Sequence, residues 1–154
     1  MAAEKKKIYG NMRIIAIEGK DLFRTESFTA LKDGKLIIAG NYVCYIGADE
    51  ATGAKYKSVK EAYTASADKN VTIVLVKDAT LDAGTYNNGA DFVISGKNAN
   101  GNYTLTVLGD ITVSGYSNRC YFEDIIVDLN NFHFSLSGQG EMTLRSGAVL
   151  ENGY

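Results

Sequence analysis

Apolar and polar residues alternate with a period of two along most of this chain, and in one place only do they fall into a helical period. Between Ile8 and Ile46 the runs MRIIAIEG, SFTALK, KLIIAG and NYVCYIG are short and β-like. Asp33-Gly34 and Gly40-Asn41 stand between successive runs, and such dipeptides reach the positive φ that two-residue hairpins demand. A small antiparallel meander is expected there. The period then changes in KSVKEAYTASADKN. Ser58 and Glu61 form an S-x-x-E capping box, and Val59, Ala62, Tyr63 and Ala67 fall at i, i+3, i+4 and i+8. This spacing predicts one amphipathic helix from Ser58 to Ala67. A helix of about ten residues is marginal alone in water, so its apolar stripe must lie on something.

From Val71 onward the β signal dominates. TIVLVKDATLDAG (Thr72 to Gly84), TLTVLGDITVSG (Thr104 to Gly115) and MTLRSGAVLENG (Met142 to Gly153) share one form: a β-rich run, a turn, a second β-rich run. Aligning them sets Asp78 over Asp110 and Gly147, and Leu81 over Val113 and Leu150, at offsets of 32 and 37 residues. Such spacing suits a solenoid whose coils absorb insertions in their turns. Along NFHFSLSG the alternation puts Phe132, Phe134 and Leu136 on the inner face and His133, Ser135 and Ser137 on the outer. Asn87-Asn88 and Asn130-Asn131 mark turns, because Asn takes the left-handed conformation cheaply.

The stretch YVCYIG…KYKSVKEAYTASADKNVTIVLVKDATL, followed by SGQGEMTLRSGAVLENG, resembles the amino-terminal part of right-handed parallel β-helix proteins of the pectin-lyase-like superfold, in particular adhesin-like surface proteins and virion fibre proteins. The resemblance covers residues 42 to 154. It implies an all-β fold: a short right-handed parallel β-helix with one capping helix, preceded by a small antiparallel β-meander. The expected division is 1–48 for the meander, as an attachment module, and 49–154 for the helix and β-helix. Each phrase would then be a corner of successive coils stacked about 4.8 Å apart.

Enzymes with this resemblance cut acidic polysaccharides with clustered Asp and calcium, an Arg base, or paired carboxylates. The acids Asp78, Asp82, Asp91, Asp110, Glu123, Asp124 and Asp128 are present, but no pattern converges on a pair across a cleft. Asp78 and Asp110 could stack as a calcium-like pair, although an Asp in a turn beside a strand is more often a backbone acceptor. The chain has no Trp, no Pro and one His, so the lyase combinations are missing. His133 alternates outward with no nucleophile beside it. GQGEMT lacks the third Gly and the following helix of a dinucleotide loop, and reads as a turn. Tyr86, Tyr103, Tyr116 and Tyr121 could offer stacking faces to sugars. No catalytic, cofactor-binding or metal-binding residue is assigned.

Charge narrows the partners. Met1 to Val71 carries 12 Lys+Arg against 9 Asp+Glu, while Thr72 to Tyr154 carries 4 against 9, which argues against a nucleic-acid groove in the second half. Lys5-Lys6-Lys7 reads as a solvated terminus. Cys44 and Cys120 form no C-x-x-C, so free buried thiols are the default and a disulfide the alternative. The N-x-T matches at Asn70 and Asn102 are expected by chance. No run of 18 apolar residues exists, so no membrane span is expected, and MAAEKKKIYG lacks the apolar core of a secretory signal.

These features lead to a non-enzymatic structural or adhesive β-helix. A phage virion fibre, spike or decoration protein comes first, located on the virion. A bacterial cell-surface adhesin-like domain whose leader has been removed comes second, and a polysaccharide lyase or hydrolase third. The expected partners are further copies of the chain, a trimer foremost, other virion or surface proteins through the N-terminal module, and glycan, without a cofactor. SGAVLENGY stops within a phrase with no polar cap, so the far end of the solenoid is expected to be closed by more chain or by other copies.

Overall fold

The computed structural model describes residues 28–32, 35–38, 42–116 and 118–153, in two compact units, 1–41 and 42–154. In the first unit β1 (Phe28–Lys32) and β2 (Lys35–Ile38) pair antiparallel, with Lys32 opposite Lys35. The run MRIIAIEG, the lysines at 5–7 and the dipeptides Asp33-Gly34 and Gly40-Asn41 lie outside the described residues.

The second unit begins with β3 (Cys44–Ile46) and β4 (Ala54–Tyr56), then α1 (Val59–Ala65). No β run after Val71 is long enough to bury its own apolar face, and the chain winds instead. β5 (Val71–Leu75), β6 (Ala79–Leu81) and β7 (Gly84–Tyr86) lie on three successive faces of a first coil. β8 (Phe92–Ser95) returns to the first face; a small hairpin of β9 (Lys97–Asn98) and β10 (Gly101–Asn102) is inserted before β11 (Thr104–Val107) and β12 (Ile111–Gly115) complete the second coil. β13 (Arg119–Glu123), β14 (Ile126–Asp128) and β15 (Phe134–Gly138) make the third, and β16 (Glu141–Leu144) and β17 (Val149–Glu151) lie on it. The result is a parallel β-helix of about three turns. Pairing between coils is parallel throughout, and β3 and β4 extend the first face as antiparallel strands beyond β5. Cys44–Ile46, read from sequence within the meander, therefore joins the first face of the solenoid by its pairing with β5.

The core is a set of columns. On the first face Val71, Phe92, Cys120 and Met142 stack, as do Ile73, Ile94, Phe122 and Leu144. The second face stacks Ala79, Leu105, Val127 and Leu150; the third stacks Tyr86, Val113 and Leu136. Leu81, Val113 and Leu150 thus share no column: Leu81 pairs with Val107, and Val113 lies on another face. The phrases at Thr72 and Met142 turn from the first face to the second, whereas the one at Thr104 turns from the second to the third. An apolar–polar–apolar strand looks alike on every face, so the similarity carries no face label. The true repeat separates Val71, Phe92, Cys120 and Met142 by 21, 28 and 22 residues, the long step containing the β9–β10 insertion.

The helix closes the first coil. Ser58 caps it, its Oγ accepting from Glu61 N at 3.0 Å, and Glu61 Oε2 accepts in turn from Lys57 N at 2.9 Å. Val59, Ala62 and Tyr63 are buried, and Tyr63 sets its ring 4.8 Å from those of both Tyr86 and Phe92. α1 ends two residues short of Ala67: Ser66 N bonds back to Tyr63 O, and Asp68 has φ 60°. Ser66 is itself buried, because its hydroxyl donates to Tyr63 O at 2.8 Å.

Burial drops at the last rung, away from α1. Ile73, Ile94 and Phe122 are 0% exposed but Leu144 is 43%; Tyr86 and Val113 are at most 1% but Leu136 is 49%. Phe134 and Leu136 do point inward, as the alternation in NFHFSLSG requires, yet they stand at an open rim. Phe122→Ala is therefore expected to cost about 3–5 kcal/mol in denaturant unfolding, and the half-buried Phe134→Ala less than about half of that. Equal costs would place Phe134 in a closed core and refute the open rim.

Candidate functional site

In the described residues the acids and amides that could carry chemistry are gathered at the corners, where one coil meets the next. A residue just before a strand presents its side chain to the backbone of the coil beyond. Asn70 Oδ1 accepts from Asp91 N at 3.0 Å, Asp78 from Thr104 N at 2.9 Å, Asp91 from Arg119 N at 3.2 Å and Asp110 from His133 N at 2.9 Å. The direction is the same each time, from one coil to the next along the chain. Carboxylates suit this position because they only accept, and an ionised acceptor strengthens the bond to an amide. Asp78 and Asp110 are backbone acceptors, as the turn reading allows, but of the following coil rather than of their own turn. They stand at different corners, so they do not stack as a calcium-like pair.

Asparagines supply the opposite polarity. Asn118 Nδ2 donates to Tyr86 O at 3.1 Å and to Ser114 O, and Asn130 Nδ2 donates to Val107 O at 3.3 Å. Asn102 Nδ2, at the foot of the inserted hairpin, reaches Gly147 O at 2.7 Å. Asn118 is 0% exposed, and among the described residues its Oδ1 has no partner. These donors carry no periodic mark in the sequence beyond an Asn beside a β run, which is why reading the runs alone passes over Asn118.

Among the described residues, a charged cluster lies on the outer surface of the first face. Tyr121, paired with Val93 and Thr143, lies under the Arg145 guanidinium, whose carbon is 3.8 Å from the ring centroid. Arg145 Nη1 is 3.9 Å from Glu123 Oε2; Arg119 Nε is 3.4 Å from Glu141 Oε2 and 4.0 Å from Asp91 Oδ1. A hydrogen bond to Tyr121, with Asp91 nearby, raises the Arg119 pKa further. These side chains are largely exposed, so solvent screening leaves each pair a small effect on stability. Their partners span adjacent coils, so they fasten the wall rather than form a cleft.

The remaining candidates are dispersed. His133 is exposed, its Nδ1 3.3 Å from Asp110 Oδ1. Asp124 pairs with Lys97 at 3.7 Å, and Asp128 accepts from Asn130 N and Asn152 Nδ2, each at 2.9 Å. Tyr86 is buried and Tyr103 packs against the core, which leaves Tyr116, 87% exposed, as an open aromatic face. Cys44 and Cys120 are both free and buried; burial pushes the Cys44 thiol up to about 12 and the Cys120 thiol well above its usual value, so neither is a poised nucleophile. Among the described residues no group of three or more His, Cys, Asp or Glu could hold a metal ion, and no helix is long and apolar enough to cross a membrane.

GQGEMT is a corner. Gly138 has φ 62°, Gly140 N donates to Ser137 O at 3.0 Å, and a Cβ at Gly140 would run into the Val113 carbonyl of the coil before. Gly140→Ala is expected to cost about 1–3 kcal/mol, read by thermal or denaturant unfolding. A neutral result would mean that β15 and β16 are not drawn this tightly over β12. Compared with protein-family models, curated proteins and solved structures, the chain matches none.

Proposed function

We propose that this protein is a non-enzymatic structural or adhesive element of a surface assembly, built on a pectin-lyase-like β-helix, and that it serves as a fibre, spike or decoration protein of a phage virion. The observation that carries this reading is the use of the polar side chains: Asp78, Asp91, Asp110 and Asp128 are engaged in hydrogen bonds, most of them to the next coil's backbone. Glycoside cleavage needs two carboxylates facing a substrate at a defined separation. Side chains engaged in holding a wall are poorly suited to that work.

The two ends of the solenoid differ, which supports assembly. α1 covers one; the other presents Leu136, Leu144 and Val149 half exposed at β15, β16 and β17, which are edge strands among the described residues. Exposed strand edges beside apolar side chains favour association, and a trimer is the arrangement that suits a fibre. The first unit, 1–41, acts as the attachment module, and Tyr116 gives a glycan an exposed ring to stack on. A cell-surface adhesin-like domain uses the same features and differs in where the protein resides.

Sedimentation velocity at micromolar concentration, with a reducing-end assay on acidic polysaccharides, tests the proposal. The expected outcome is a trimer of the 16.7 kDa chain with no new reducing ends. A monomer that releases reducing or unsaturated ends would overturn it in favour of a lyase or hydrolase.

A further inference from the structure

The rim opposite α1 is a spiral edge, and its sequence is complementary to itself. β15, β16 and β17 are the last strands of the third, first and second faces, and each is an edge strand among the described residues. Glu141 N donates back to Asn118 O at 3.2 Å and Arg145 N to Phe122 O at 2.8 Å. Backbone groups along a strand alternate between its two sides, so those of Met142 and Leu144 point out of the edge. The side chains alternate too. Met142 and Leu144 continue the inward columns of Cys120 and Phe122, while Glu141, Thr143 and Arg145 lie outside.

We propose that a second copy of this chain docks rim to rim across a two-fold axis through Thr143, so that β16 pairs antiparallel with its own counterpart. In that register Met142 faces Leu144 of the second copy, and their outward backbone groups make the hydrogen-bonded pairs of an antiparallel ladder. Thr143 faces itself, and Glu141 faces Arg145 of the second copy. The charged pairing occurs twice, and opposite charges directly across such a ladder attract. Moving the axis to Met142 or Leu144 would instead face each charge with an uncharged residue. Within one chain Glu141 already lies 3.4 Å from Arg119, and Arg145 3.9 Å from Glu123. Docking joins these pairs into one line of alternating charge across the contact.

The rest of the rim agrees. β16 is the middle one of the last three strands, so the spiral retreats at β15 by as much as it advances at β17. A two-fold through β16 sets β17 against β15 of the second copy, step up against step down, and no gap opens on the other two faces. Leu136 and Leu144, 49% and 43% exposed in one chain, then meet inward residues of the second copy. α1 stays at both outer ends, so the contact closes on itself rather than growing into a filament. Strands of five, four and three residues make a small patch beside the roughly 800 Å² per partner of a standard interface, so association is expected to depend on concentration. This contact uses the open rim of the proposed assembly and is separate from its threefold contact.

Thr143→Cys tests the axis, because a residue on a two-fold meets its own copy, and the roughly 4.5 Å between Cα atoms of a non-hydrogen-bonded pair is within disulfide reach. Cys44 and Cys120 are buried and stay out of the reaction. Under mild oxidation Thr143→Cys is expected to form a disulfide-linked dimer at least about tenfold faster than Thr106→Cys, which lies two strands back from the rim on the second face. In the Thr143→Cys background, Glu141→Lys or Arg145→Glu alone sets like charges opposite each other twice and is expected to slow linkage about tenfold. Mixing the two charge variants restores opposite charges at both pairs, and the rate is expected to recover with the mixed dimer as product. Equal rates at positions 143 and 106 overturn the two-fold contact, and so does a mixture that stays slow. Sedimentation of the linked product keeps the threefold reading apart: a linked pair of single chains upholds the rim contact without a trimer, and a linked pair of trimers upholds both.

Discussion

Everything in the second unit depends on one coil lying in register on the next. A single coil has three short strands and cannot shield its inward side chains, so Ile73 is buried only because Ile94 stands under it, and Ile94 because Phe122 does. This makes the fold nearly one-dimensional. Each coil is stabilised by its neighbours alone, and the ends become the positions where sequence must supply something special. At one end it supplies α1, with Ser58 and Glu61 fixing the first turn and Tyr63 covering Tyr86 and Phe92. At the other it leaves Leu136, Leu144 and Val149 at the rim.

Register needs more than apolar columns, because parallel strands with alternating side chains slide easily in pairs of residues. Corner acceptors remove that freedom. Asp78, Asp91 and Asp110 each hold one particular amide of the next coil, and Asn118 and Asn130 hold particular carbonyls. The division of labour follows from the groups themselves: a carboxylate cannot donate, so carbonyls fall to the amide side chains. Polar residues that a sequence reader would screen for catalysis are thereby committed to the wall, and the proposed structural role rests on that commitment.

Much of this was legible in the residues. The capping box at Ser58 and Glu61 and the stripe of Val59, Ala62 and Tyr63 placed the helix to within two residues, because capping and period are local. The parallel β-helix was legible from β runs joined by turns, and the inward direction of Phe134 and Leu136 from strict alternation. Register was not: Leu81, Val113 and Leu150 belong to different columns, since a strand of the form Leu-Thr-Val or Ile-Thr-Val looks the same on any face. The insertion between β8 and β11 stretches one step of the repeat and hides its true length of twenty-odd residues. Asp91 and Asn118 act across coils, and their partners are set only once the register is known.

Cross-linking between outward positions measures that register most directly. Thr80 pairs with Thr106 on adjacent coils of the second face, whereas aligning the repeated phrases would instead pair Thr80 with Thr112. A disulfide needs Cα atoms about 4.4–6.8 Å apart, a separation met by neighbours in a parallel sheet and not by residues on different faces. The account predicts that Thr80→Cys/Thr106→Cys oxidises to an intramolecular disulfide in the folded protein and that Thr80→Cys/Thr112→Cys does not. The reverse result would contradict the stacking on which the columns, the corner acceptors and the open rim all rest.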